Sequence, residues 1–227
     1  MNARTAIVAA VCGLLMTSAT GQTGDTRLVS RQGSLSGGVF NFIDAPGNTG
    51  YNFGAFQSFC LELDEFITIP QTYTATVNTQ ALGGGLNVPD NSGDPLGAST
   101  QLLYATFVNG GLGLAGSDYT DLGQDDRNGA VQLAIWNLEG EVNAQFRRVD
   151  NNNLIGNSEI RDGAQSLLDA ITAGAFSAYL GDAAKVRVLN LTRSGVSHQD
   201  MLYMIPLPQS AALAGLGVAA VAIRRRR

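Results

Sequence analysis

Apolar and polar positions change rhythm twice along this chain. From about Thr26 to Val77, short apolar runs (Val39 to Ile43, Phe53 to Phe59, Tyr73 to Val77) alternate with Gly, Asn and Pro, which predicts strands separated by turns. The spacing then becomes helical. Leu96 to Val108 carries a broad apolar face behind Pro95, Asp125 to Val142 forms a second helical stretch, and Ser158 to Thr172 a third with Ala164, Leu167, Leu168 and Ile171 on one side. Alternation returns at Lys185 to Leu191, and Met201 to Ile205 reads as a closing strand. Strands, then helices, then strands predict an α+β domain: an antiparallel β-sandwich-like body with a small three-helix portion.

The two ends follow other rules. Residues 1–21 have the form of a secretory signal peptide: Arg4, a short apolar run from Ala6 to Met16, and small residues at Ala19-Thr20-Gly21. At the other end, Ile205-Pro206-Leu207-Pro208 precedes an uncharged run from Ala211 to Ile223 and the cluster Arg224, Arg225, Arg226, Arg227. This predicts a C-terminal apolar helix, short for a stable membrane span, with its arginines kept on the cytoplasmic side. The chain thus divides into a signal at 1–21, a globular domain at 22–204 and a tail at 205–227.

Charge and cysteine content narrow the function. Setting aside Arg4 and the four terminal arginines leaves nine basic and nineteen acidic residues between 22 and 205, a balance of −10. An acidic body without a basic patch excludes nucleic acid as a natural partner. Removal of the signal would remove Cys12, leaving Cys60 unpaired in an exported protein.

Two stretches hold the candidate chemistry. Ala130 to Leu138 is apolar almost all round, so its helix should be buried. Asp125 and Asp126 suit its first turn, and Glu139-Gly140 is a stop signal. Gln132 sits inside this run, one turn before Trp136, the only tryptophan. A buried carboxamide is costly without partners, so Gln132 is either a satisfied core amide or a group with a chemical task. In Phe59-Cys60-Leu61-Glu62-Leu63-Asp64, a two-residue period places Cys60 on one strand face with Glu62 and Asp64, opposite Phe59, Leu61 and Leu63.

Other signals are weaker. Asp90, Asn91, Ser92 and Asp94 have calcium-type oxygens, but the loop at 88–95 lacks the later acidic ligand of a calcium-binding loop and reads as a solvated turn. Gly83-Gly84-Gly85 lacks the Lys-Ser/Thr of a phosphate loop. His198, the only histidine, reads as an exposed loop residue, and one histidine with so few cysteines does not supply the ligands of a zinc site. No cofactor, metal or enzymatic turnover is expected.

The tail, with its Pro motif, apolar run and arginine cluster, resembles the PEP-CTERM sorting signal of bacterial exported proteins. Its Pro motif lacks the namesake glutamate. The body, through Phe59-Cys60 on a strand and Gln132-Leu133-Ala134-Ile135-Trp136 on a helix, resembles the bacterial thioester-domain family. Val131 stands where that family usually has threonine, and Leu61 where an aromatic often follows the cysteine. The resemblance implies an exported protein of the cell envelope, surface or extracellular matrix, at least transiently membrane-anchored through its tail and recognised by an exosortase-type enzyme. It also implies an internal Cys60–Gln132 thioester, supported by Trp136, Glu62 and Asp64, that joins the protein to an amine or hydroxyl. A non-reactive structural component of the envelope or matrix is the alternative.

Overall fold

The computed structural model describes residues 21–35, 37–82, 85–86 and 93–206. The signal-like segment before Gly21, the calcium-type residues Asp90 to Ser92, and the tail from Leu207, with Pro208 and Arg224 to Arg227, lie outside the described residues.

Six strands form one antiparallel sheet: β1 (Thr23–Gln32), β2 (Val39–Asp44), β3 (Phe56–Ser58), β4 (Gln71–Asn78), β7 (Val186–Arg193) and β8 (Val196–Met204), in the order β3-β2-β1-β4-β7-β8. A two-residue pair, β5 (Gln80–Ala81) with β6 (Asp94–Pro95), forms a second, small sheet beside β7. β-branched residues and aromatics fill the strands, and alternation is clean in β4, where Tyr73, Ala75 and Val77 are buried. In β7 and β8 it is lost because both faces are covered: Val188 to Leu191 and Gln199 to Tyr203 are all buried.

The sheet curls until its ends meet. Beyond β3 the chain crosses to β8, where Leu202 N–H donates to Phe59 O (3.2 Å) and Leu61 N–H to Asp200 O (3.0 Å). Cys60 bridges Met201 between them. The Ser58 hydroxyl adds a bond to Leu202 O (2.6 Å). A single curled sheet thus replaces the expected sandwich of two facing sheets. Its outer strands bond to each other, so a second sheet is not needed to cover the edges.

Helices α1 (Ala98–Val108), α3 (Gln124–Leu138) and α4 (Ser158–Thr172) match the three predicted helical stretches, with two four-residue helices, α2 (Ser117–Thr120) and α5 (Leu180–Ala183), between and after them. The glycine-rich connection from 110 to 123 is therefore partly helical. α3 is buried without interruption from Asn128 to Trp136. It starts at Gly123 without a side-chain cap, carries Asp125 and Asp126 in its first turn, and stops four residues before the expected Val142. The stop is a Schellman arrangement: Gly140 has φ 80°, its N–H bonds Asn137 O (3.2 Å), and Glu141 N–H bonds Trp136 O (2.8 Å).

The expected strand over Phe59 to Asp64 is the main local difference. Regular pairing ends at Ser58, Cys60 makes one isolated bridge, and residues 61–64 bend away. His198 lies in β8 rather than a loop, its ring edge-on to Tyr73 with centroids 5.3 Å apart. Among the described residues no helix is long and apolar enough to cross a membrane; the run expected to form the C-terminal helix, Ala211 to Ile223, lies outside them.

Candidate functional site

The two residues singled out in the sequence meet. Gln132, fully buried on α3, turns its carboxamide onto the main chain of Cys60. Its Oε1 accepts the Cys60 N–H at 3.0 Å and its Nε2 donates to Cys60 O at 2.8 Å. Oε1 takes a second backbone N–H, from Gly38, at 3.3 Å. Gly38 is the last residue of the turn from β1 to β2, and the turn reaches α3 through the Ser34 N–H, which donates to Asp125 O (3.2 Å).

This arrangement needs Gly37 to lack a side chain. A Cβ there would sit 2.5 Å from Gln132 Cγ, 2.8 Å from Cδ and 2.9 Å from Oε1. Gly38 has φ 119°, a region that excludes most side chains. Two consecutive glycines let the backbone approach the carboxamide closely enough to donate to it.

Two backbone N–H groups thus point at one carbonyl oxygen in a buried site. Geometry of this kind polarises a carbonyl and holds the negative oxygen that forms when a nucleophile adds to its carbon. Cys60 Sγ lies two bonds from a Cα whose flanking N–H and C=O both grip that carboxamide. The Cys60 side chain is buried, and burial pushes its thiol well above its usual range; Glu65 and Glu62 add to this, while Arg31 opposes it. The sulfur is therefore a neutral thiol at physiological pH.

Cys60 borders a cavity of about 140 Å³ lined in part by Arg31, Gly37, Glu62, Glu65, Phe66 and Trp136. Trp136 is buried, and among the described residues its indole N–H has no hydrogen-bond acceptor. Phe66 at the rim is 84% exposed. Larger hollows beside Phe56 and Tyr203, and beside Asp162 and Asp169, contain neither the sulfur nor the carboxamide.

The carboxylates are distributed differently from the sequence expectation. Glu62 is buried, but Asp64 is exposed, and Glu65 takes its place beside Glu62. Sequence-distant acids join them: Asp200 from β8 and the buried Glu141. Glu141 fastens this region by accepting the N–H of Leu63 and of Leu86, each at 2.9 Å. Glu62 titrates well above an ordinary carboxyl, first because it is buried, then through Glu65, Asp200 and Glu141. The Gly37-Gly38 pair was visible in the sequence as two adjacent glycines before a strand, but nothing local linked it to Gln132. Asn190, in an Asn-Leu-Thr glycosylation pattern, is buried and donates to Asp200 Oδ1 (2.8 Å).

Compared with known protein families, curated proteins and solved structures, the chain matches none.

Proposed function

We propose that this is an exported surface or matrix protein that attaches covalently to a nucleophile through an internal Cys60–Gln132 thioester. The observation that carries the reading is the Gln132 carbonyl oxygen held by two backbone N–H groups, one of them from Cys60 itself. In the reaction, Cys60 Sγ adds to Gln132 Cδ, and charge gathers on Oε1 between the N–H groups of Gly38 and Cys60. The C–N bond then breaks, the thiol proton passes to the departing nitrogen, and ammonia leaves. The result is an S–C(=O) bond.

A thioester is a better acyl donor than an amide. An external amine attacks Cδ, the C–S bond breaks, and the sulfur regains a proton. Gln132 is then joined to the amine by an amide bond; a hydroxyl gives an ester. The step occurs once per molecule, so the protein is not an enzyme. Burial of the pair against Trp136 and α3 slows hydrolysis by excluding water. Of the carboxylates expected to support the site, Glu62 is adjacent and buried, and Asp64 takes no part.

The signal-like N-terminus and the PEP-CTERM-like tail support export, transient anchoring at the membrane and handling by an exosortase-type enzyme. One observation favours the second reading, an inert envelope or matrix component: Gln132 has partners for both ends of its amide, which a purely structural carboxamide also needs. Methylamine separates the two. Incubation followed by peptide mapping is expected to place methylamine on Gln132 and to free the Cys60 thiol. An unlabelled Gln132 peptide would support the inert reading.

A further inference from the structure

We propose that Glu62, Glu65 and Asp200 form a divalent-cation site suited to calcium. Each offers a carboxylate oxygen, and these oxygens lie within 4.8 Å of one another. Two parts of the chain supply them: the segment that leaves the sheet after Cys60, and β8.

Asp200 and Glu65 are held in place by hydrogen bonds. Asp200 Oδ1 accepts from Asn190 Nδ2 at 2.8 Å, and its Oδ2 accepts the Leu82 N–H. Glu65 Oε2 accepts the Asp200 N–H at 3.0 Å. Glu62 differs. It is only 3% exposed, and among the described residues no N–H or hydroxyl donor reaches either of its oxygens; the polar side chain beside it is the Glu65 carboxylate, with which it can share a proton. Asn190 Oδ1, on the side chain that fixes Asp200, is a further buried acceptor without a donor among the described residues.

An ionised carboxylate buried without donors, among other carboxylates, is highly unfavourable. It must hold a proton or meet a cation. A bound cation replaces that proton and satisfies both Glu62 oxygens.

The ligand set selects the ion. All three ligands are carboxylate oxygens, which suit hard cations, and no His or Cys atom among the described residues joins them. Calcium–oxygen bonds of about 2.3–2.6 Å let oxygens on opposite sides of the ion stand about 5 Å apart. Magnesium, at about 2.0–2.1 Å with stricter octahedral geometry, requires a tighter set. Glu62 and Glu65 also line the Cys60 cavity, which gives the ion a route in. Bound calcium would pin the segment after Cys60 to β8, so the ion would stabilise the same region that presents the sulfur to Gln132.

The test uses the full chain, stripped with a chelator, then titrated with calcium chloride or magnesium chloride and followed by calorimetry and thermal melting. Running it also in Cys60→Ala keeps the result independent of thioester formation. Calcium is expected to bind at one saturable site and raise the melting temperature in both proteins, with magnesium weaker. Glu62→Gln is expected to abolish this response, and Glu65→Gln to weaken binding at least about tenfold. Each substitution preserves side-chain size, and melting in chelator reports folding of each variant directly. No heat and no melting shift up to about 10 mM calcium would overturn the proposal. So would an equal calcium response in the parent and both Gln variants, which would place the ion elsewhere.

Discussion

Gln132 holds Cys60 by its main chain, not its side chain. One amide face of Gln132 closes a two-bond ring with the Cys60 N–H and C=O, at 3.0 and 2.8 Å. Among the described residues no hydrogen bond is made to the sulfur, while the Cys60 backbone fixes the Gln132 carboxamide. Structure and chemistry can thus be separated by mutation.

Cys60→Ala and Gln132→Ala both remove any thioester, so a stability difference between them reports the network alone. Cys60→Ala keeps every bond Gln132 makes. Gln132→Ala leaves the N–H groups of Gly38 and Cys60 and the Cys60 carbonyl without this partner in a buried site, and opens a cavity. Gln132→Ala is expected to be less stable than Cys60→Ala by about 2–3 kcal/mol. Denaturant unfolding of the two variants checks this; equal midpoints and slopes would mean that the carboxamide contributes little.

Gly37→Ala tests the close approach of the turn. A methyl group 2.5 Å from Gln132 Cγ forces the side chain away from its two N–H donors. Loss of such a donor costs an acyl-transfer step about 10²-fold or more. Methylamine incorporation at Gln132 is expected to fall by at least about tenfold. Gly181→Ala, with no atom within 4 Å of the added carbon, is the control and should label normally.

How far the sequence reached can be seen at α3 and at the segment after β3. α3 was legible because its apolar residues run all round it, and Gln132 stood out as the polar exception. The segment after β3 was misread because Leu61, Glu62, Leu63 and Asp64 alternate as a strand does. Alternation says which positions differ, but not what will cover them. Here β8, about 140 residues away in the chain, ends the regular pairing and buries Glu62, while Asp64 turns outward. Gly38, Asp200 and Glu141 were missed as neighbours for the same reason. Asp200 reaches the site through the closure of the curled sheet, Gly38 from the β1–β2 turn and Glu141 from the end of α3, and no local period encodes these approaches. The unpaired cysteine and the buried glutamine pointed to each other only through a resemblance; their contact required the fold.

The Glu139 carboxyl provides a pH test away from the site. Burial raises its pKa, and the charge of Asp94 on β6 adds to this; the Thr100 hydroxyl on α1 and the Gly97 N–H (3.3 Å) oppose it. Because the folded value lies above the unfolded one, the group's contribution to stability is fully present below the ordinary carboxyl value of about 4.3 and is lost as pH rises through the folded value. Glu139→Gln is therefore expected to flatten the decline of melting temperature above about pH 4.3. Glu62 contributes its own slope to both proteins, so the readout is the difference between parent and variant. Parallel curves would contradict the assignment.

The central claim is a covalent bond between Cys60 Sγ and Gln132 Cδ, and intact mass spectrometry of the purified protein tests it most directly. The account predicts a mass lower than the sequence by one ammonia, with the full mass restored in Cys60→Ala. The unmodified mass together with a titratable Cys60 thiol in the native parent protein would contradict it.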